Sequence, residues 1–133
     1  MLINDPHIVA PWVMERTGDD FPMGVQAAIG YKDGDTITAG VVFDHYTGPC
    51  VTATIAVDHK RLPRQLIHTM FAYPFKQLGV KKIIVYVNES NHESYNLAER
   101  LGFQVEAVIG DVYDDGDMLI MTMNKSDCSW LRR

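Results

Sequence analysis

The sequence is poor in cysteine and in basic residues. Its two cysteines, Cys50 and Cys128, lie far apart and form no CxxC pair, so neither a zinc site nor a disulfide framework is predicted. This cysteine usage fits a reduced, cytoplasmic setting. The formal net charge is −5, which argues against a nucleic-acid partner, because non-specific affinity for phosphates depends on summed positive charge.

Long hydrophobic runs are also missing. No stretch approaches the roughly 18 apolar residues that span a bilayer, and the N-terminus lacks the basic region and apolar run of a secretory signal. We therefore expect no membrane partner. The 133 residues, 47% of them hydrophobic, suffice for one buried core, so we predict a single domain over residues 1–133 with a C-terminal tail at 126–133.

Hydrophobic periodicity in the first half predicts one helix and a meander of strands. Residues 5–17 have helical spacing that Pro6 and Pro11 interrupt, which predicts one short, irregular helix. Three runs rich in Val, Ile and Thr, separated by turn residues, predict an antiparallel meander. These runs are residues 25–31, 36–43 and 51–57.

The period then changes to that of a helix. Apolar residues within 66–78 recur at three and four positions, which predicts a helix that ends at Gly79 and kinks at Pro74. The continuous apolar run 83–87 predicts a strand buried on both faces, as parallel sheets require.

A second helix is predicted between residues 90 and 102. Either Ser90 or Asn91 can cap it, Ser90 and Glu93 have the spacing of a capping box, and Gly102 supplies a left-handed stop. Two strands, 103–113 and 118–123, follow around a turn at 114–117. In the tail, Trp130 and Leu131 need a surface to cover them.

This order of elements resembles the GCN5-related N-acetyltransferase (GNAT) family over about residues 24–123. The motifs that carry the resemblance are Leu78-Gly79-Val80-Lys81-Lys82, Asn91 with Ser94, and Leu101-Gly102-Phe103. It implies a mixed α/β fold: a central, largely antiparallel sheet with a splayed parallel strand pair and flanking helices. The helix 71–79 and the terminal Cys128-Ser129-Trp130-Leu131 also resemble acetyltransferase-like proteins encoded by bacteriophages.

The resemblance implies a site for acetyl-CoA as cosubstrate. The family's glycine-rich phosphate loop, at a helix N-terminus that favours anions, falls here on His59-Lys60-Arg61-Leu62-Pro63-Arg64. Leu62 and Arg64 occupy the glycine positions, and Pro63 removes a backbone donor. The cations Lys60, Arg61 and Arg64 can replace lost donors with charge, or the segment is an ordinary solvated basic loop.

Two further groups of cofactor residues follow from the resemblance. The backbone of Ile55, Ala56 and Val57 is expected to pair with the amides of the pantetheine arm. Asn91 and Ser94 correspond to positions that line the cofactor cleft, although both also fit a simple role in capping the helix.

Acyl transfer requires a base for the amine and an acid for the departing thiolate. The family's acidic phenol falls on Ala98, and the nearest phenol is Tyr95, which can substitute for it but is better interpreted as a half-buried packing residue. The candidate bases are Asp58 and His59, although a lone histidine is more often structural. Ordinary turn chemistry explains the histidine-containing turn 44–46.

Two functional hypotheses remain open at this stage. The chain is either an acetyl-CoA-dependent N-acetyltransferase acting on a small-molecule or protein amine, or a non-catalytic module that keeps the scaffold alone. The basic loop and Asn91 favour the enzyme, whereas the missing glycines and Ala98 favour the module. The family's habits suggest a homodimer, and no metal site is expected.

Overall fold

A seven-stranded mixed sheet runs through the protein in the order β1-β2-β3-β4-β5-β7-β6. The computed structural model describes residues 1–58 and 61–132. Neighbouring strands are antiparallel except β4 and β5, which are parallel. The strands are β1 Leu2–Ile3, β2 Ala27–Asp33, β3 Thr36–Asp44, β4 Cys50–Val57, β5 Lys82–Asn88, β6 Gln104–Ile109 and β7 Met118–Asn124. The predicted meander and the single parallel pair are confirmed.

Helix α1, Pro6–Thr17, covers one face of the sheet and is more regular than its prolines predict. Pro6 occupies the first turn, where no backbone donor is needed, and Asp5 caps the helix by accepting a hydrogen bond from the His7 amide at 2.9 Å. Pro11 lies inside the continuous helix. The expectation of an interrupted helix was therefore wrong.

A glycine in the sheet allows α1 to approach closely. Val9 and Val13 of α1 are fully buried against Val42 and Ala56. A Cβ atom added at Gly40 would lie only 3.0 Å from Cγ2 of Val13, so a larger residue there would push the helix away from the sheet.

Two helices cover the opposite face. They are α2, Arg64–Ala72, and α3, His92–Leu101. Phe71 of α2 and Leu101 of α3 share a core with Phe43, whereas the adjacent Val42 packs under α1, as alternation along a strand requires. The fold is thus three layers, with the sheet between the helices.

Pro74 produces a π-helical segment rather than a kinked α-helix. The α-helix ends at Ala72, and Tyr73–Leu78 continues as π-helix to Gly79, which has a left-handed φ of 75°. Proline has no backbone N–H group, so Pro74 cannot donate an α-helical hydrogen bond. The π-helical segment includes this position.

The C-terminal tail folds back onto the helices. Trp130 donates a hydrogen bond from Nε1 to the carbonyl of Leu101 at 2.7 Å and stacks on Phe71 with ring centroids 6.4 Å apart. The helices α2 and α3 therefore supply the predicted cover for Trp130. Over residues 1–58 and 61–132, no helix has the length and apolar character needed to cross a membrane.

Candidate functional site

The parallel strands β4 and β5 pair at one end and separate at the other. Cys50, Val51 and Thr52 pair with Lys82, Ile83 and Ile84. Beyond these pairs, residues 53–57 of β4 and 85–88 of β5 border a cleft of about 950 Å³. The β4 edge that would otherwise bond to β5 faces this cleft.

The cleft reaches both faces of the sheet. On the α1 side it is lined by Arg16 and Asp19, and on the other side by Leu97 and Ala98 of α3. Tyr86 of β5 also lines it and is 46% exposed, so the prediction that β5 is buried on both faces was wrong. The splayed strands leave one side of β5 open.

The predicted phosphate loop joins β4 to α2. His59 and Lys60 lie outside the described residues. Leu62 is buried and packs in the core, whereas Arg61 and Arg64 are exposed. Pro63 is the N-cap residue of α2 and offers no side-chain hydrogen bond to it, and the first turn carries no acidic residue. The start of α2 is therefore an electropositive helix N-terminus.

Asp58 is engaged by a neighbouring guanidinium. Arg16 donates from Nε to Oδ1 at 2.8 Å and from its second amino group to Oδ2 at 2.9 Å, and it also lies over the Trp12 ring at 3.7 Å. This two-point pair ties the end of β4 to α1. The geometry gives the carboxylate a structural task in addition to the base role predicted for it.

Asn91 and Ser94 combine the two roles that the sequence left open. Asn91 caps α3 by accepting a hydrogen bond from the Ser94 amide at 3.2 Å, and both residues line the cleft. The capping box proposed for Ser90 and Glu93 was wrong, because Ser90 is turned toward Asp115, to which its hydroxyl donates at 3.0 Å.

Tyr95, the predicted acid, points toward its own helix. Its hydroxyl donates to Glu99 at 2.9 Å, and this hydrogen bond raises the pKa of the Tyr95 phenol. Within the described part of the chain, the residues lining the cleft include Ala98 but not Tyr95. A phenol at position 95 is thus held away from the place where the family's acid would stand.

The sequence interpretation missed Tyr113, which lines the cleft. The predicted strand 103–113 ends at Ile109, so Tyr113 lies in the β6–β7 loop, residues 110–117. It is half-buried, and burial, together with the nearby Asp19, raises the pKa of its phenol. The only signal in the sequence was a lone aromatic residue among loop aspartates.

Polar contacts fix this β6–β7 loop to the end of β5. Asp115 accepts hydrogen bonds from Asn88 at 2.8 Å and from Ser90 at 3.0 Å, and these bonds lower the pKa of Asp115. The main chain adds a bond from the Glu89 amide to the carbonyl of Asp117 at 2.9 Å. We call this set of contacts the loop latch.

The cleft lining is more acidic than basic. Asp19, Glu93 and Asp115 contribute carboxylates, whereas the basic residue Arg16 is paired with Asp58. Among residues 1–58 and 61–132, no group of three or more His, Cys, Asp and Glu side chains is placed to hold a metal ion. The lining thus favours a positively charged ligand.

The fold is similar to that of several solved acetyltransferases. No family model and no curated protein matches the sequence. A GNAT-family acetyltransferase from Bacillus anthracis matches in structure with a TM-score of 0.61 and 14% identity, over 75% of this chain and 66% of that one. Mutant forms of the spermidine/spermine N-acetyltransferase SpeG from Vibrio cholerae match with a TM-score of 0.68 and 20% identity, over 90% and 76%.

A third structure holds the cosubstrate. The N-acetyltransferase PseH from Campylobacter jejuni, solved in complex with acetyl coenzyme A, matches with a TM-score of 0.60 and 15% identity, over 87% of this chain and 77% of that one. The chain spans about two thirds to three quarters of the length of these proteins. It has the GNAT fold, as the sequence predicted.

Proposed function

We propose that the protein is an acetyl-CoA-dependent N-acetyltransferase. The observation that carries this proposal is the separation of β4 and β5 beyond Thr52 and Ile84, which opens a cleft through the sheet. A narrow acyl carrier can enter such a cleft from one face while an acceptor approaches from the other. The complex of PseH with acetyl coenzyme A, on the same fold, supports this choice of cosubstrate.

The pantetheine arm would lie along the open edge of β4. Ile55, Ala56 and Val57 border the cleft, and their strand is already paired with β3 on its other edge. An arm carrying amides can therefore add to β4 as a further strand would. Asn91 and Ser94, at the start of α3, would flank the arm on the opposite wall.

The phosphates would lie at the start of α2. The first amides of a helix need acceptors, and here Pro63 supplies no side-chain cap. Arg61 and Arg64 add positive charge at the same helix end, where the helix dipole already disfavours cations, so a bound anion relieves both effects. The side chain of Leu62, between the two arginines, is buried in the core. Lys60 is a further candidate from the sequence.

The acceptor would be a cationic amine that enters from the α1 side. Asp19 lies on that side of the cleft, and Glu93 and Asp115 add negative charge elsewhere in its lining, so the cleft attracts an ammonium group electrostatically. SpeG, which has the same fold, is a spermidine/spermine acetyltransferase, which supports a small-molecule amine. Asp58 and His59 remain the bases proposed from the sequence, acting directly or through water.

A second copy of the chain is the proposed protein partner. Strand β6 is an edge of the sheet, and its Val105, Val108 and Ile109 side chains are 43–56% exposed. Antiparallel pairing of β6 with itself can place Val105 opposite Val108 of the second copy. The cytoplasmic location and the relation to phage-encoded proteins stay predictions from the sequence.

Calorimetric titration with acetyl-CoA and free CoA, followed by thiol release with a panel of amines, tests the proposal. We expect both ligands to bind and at least one cationic amine to release thiol. A protein that binds neither ligand would contradict the proposal.

Ala98 favours a second candidate function, a GNAT-fold protein that binds partners without catalysis. The matched variant Ala98→Tyr separates the two. Turnover in Ala98→Tyr but none in the native chain would favour the non-catalytic module, whereas turnover in both would favour the enzyme.

A further inference from the structure

Tyr113 is the less exposed of the two phenols, Tyr86 and Tyr113, that line the cleft in the described part of the chain. It lines the cleft together with Ala98, the position at which the sequence resemblance places a phenol. Ala98 has no polar group and leaves space in front of α3. We infer that Tyr113, from the β6–β7 loop, donates the proton that the departing CoA thiolate takes up. This inference rests on the proposed acetyltransferase function.

The fold brings Tyr113 to the cleft from a different element than the expected phenol. Its loop connects β6 to β7, and β7 is the direct neighbour of β5. The Tyr113 phenol lies close enough to Asp19, which follows α1, for the two to interact electrostatically. Asp19 lines the α1 side of the cleft, from which the acceptor is proposed to enter.

The loop latch makes this position a defined one. Asp115, two residues after Tyr113, is held by Asn88 and Ser90. A Cβ atom added at Gly116 would lie 2.5 Å from Oδ1 of Asn88, so the loop packs directly against the end of β5. A side chain carried on such a loop keeps its orientation, as a catalytic group must.

The environment of the phenol keeps it protonated until it is needed. Burial and Asp19 both raise the pKa of Tyr113, so the neutral donor form is present at neutral pH.

The proposed transfer of the acetyl group conserves protons and electrons. The neutral amine attacks the thioester carbonyl, a C–N bond forms, and the C–S bond breaks with its electron pair on sulfur. The sulfur takes the phenolic proton of Tyr113. The phenolate then takes, directly or through solvent, the proton that the nitrogen loses as it becomes an amide. The products are the N-acetylated amine and CoA thiol, with Tyr113 regenerated.

The test compares Tyr113→Phe with Tyr95→Phe in the full chain. A positioned acid contributes about 10²–10⁴-fold, so kcat in Tyr113→Phe should fall by that factor while the calorimetric Kd for acetyl-CoA stays the same. Tyr95→Phe should keep the native kcat. Equal turnover in native protein and Tyr113→Phe, or loss only in Tyr95→Phe, overturns the inference.

A readout independent of turnover uses the native protein with tyrosine isotope-labelled at the phenolic carbon. The Tyr113 resonance is identified by its absence in Tyr113→Phe. It should move on addition of CoA and stay in place on addition of desulfo-CoA, which lacks the sulfur. Identical spectra with both ligands overturn the inference and leave the proposed function standing. Failure of the native protein to bind acetyl-CoA removes both.

Discussion

Asp44, the last residue of β3, has a buried carboxyl group. Its side chain is 4% exposed, and Oδ2 lies 3.0 Å from Nδ1 of His45, while within the described residues Oδ1 has no hydrogen-bond partner. Burial raises the pKa of Asp44, and Asp19 adds to this effect, whereas His45 opposes it. The folded protein thus binds a proton at Asp44 more readily than the unfolded chain.

This shift predicts a pH-dependent gain in the variant Asp44→Asn. A carboxyl group whose pKa is raised by folding loses its contribution to stability as the pH rises through the folded pKa. At neutral pH, Asp44→Asn should therefore raise the free energy of unfolding. We expect a gain on the order of 1 kcal/mol, because the substitution removes a buried charge whose Oδ1 atom has no hydrogen-bond partner within the described residues. Urea unfolding at several pH values should show the difference shrinking toward acid. Asp35→Asn, on an exposed turn, is the matched control, and a constant difference would contradict the prediction.

Arg16 makes contacts that lysine cannot reproduce. It bonds Asp58 at two points and lies over the Trp12 ring. We expect Arg16→Lys to lower the free energy of unfolding by about 1 kcal/mol, because both partners are partly exposed and such pairs are worth little more. The exposed Arg100→Lys in α3 should have no effect in the same denaturation assay. Equal losses in both variants would show that the fork geometry does not matter.

At the scale of elements, the start of α2 is the most testable part of the proposed site. Arg61→Ala combined with Arg64→Ala should weaken CoA binding by about 1–3 kcal/mol for each charged hydrogen bond lost. Calorimetry should show no change for a pantetheine fragment without phosphates. The pair Arg100→Ala and Lys125→Ala removes the same charge elsewhere, and an equal loss in that control would point to general electrostatics instead.

Local signals in the sequence sufficed for most elements but not for the site. The runs of Val and Ile around Val41 and Val51 predicted the meander, and Gly79 and Gly102 marked where helices stop. The loop latch joins residues such as Asn88 and Asp115, whose meeting depends on the finished sheet. Hydrophobic periodicity reports only on residues that are close in sequence, so it could not predict that Tyr113 lines the cleft.

Similar reasoning explains two of the errors in the helices. The sequence predicts that Pro6 and Pro11 interrupt the first helix. The burial of Val9 and Val13 against the sheet outweighs the local cost of Pro11 inside the helix. The spacing of Ser90 and Glu93 matches a capping box, but Asn91 caps the helix. The Ser90 hydroxyl instead donates a hydrogen bond to Asp115 in the β6–β7 loop. In each instance a distant contact overruled a local preference.

At the scale of the whole molecule, the proposed dimer would form through the exposed edge strand β6. All residues of β6 are exposed, including Val105 and Val108. We expect sedimentation velocity to show a dimer for the native chain and a monomer for Val108→Lys, because each lysine would then lie opposite the apolar Val105 of the other copy. Ile8→Lys, an equally exposed apolar site on α1, should remain dimeric. A native chain that is monomeric at every concentration would contradict the edge pairing.

The two tryptophans report optically on different parts of the protein. Trp12 lies under the guanidinium of Arg16, which lines the cleft, whereas Trp130 stacks on Phe71 far along the chain. A Trp130→Phe protein would carry one emitter at the rim of the cleft, sensitive to any displacement of Arg16. A Trp12→Phe protein would carry one emitter on the tail. The chain thus holds its own pair of fluorescent probes, and changes at the cleft and in the packing of the tail can be followed separately without an added dye.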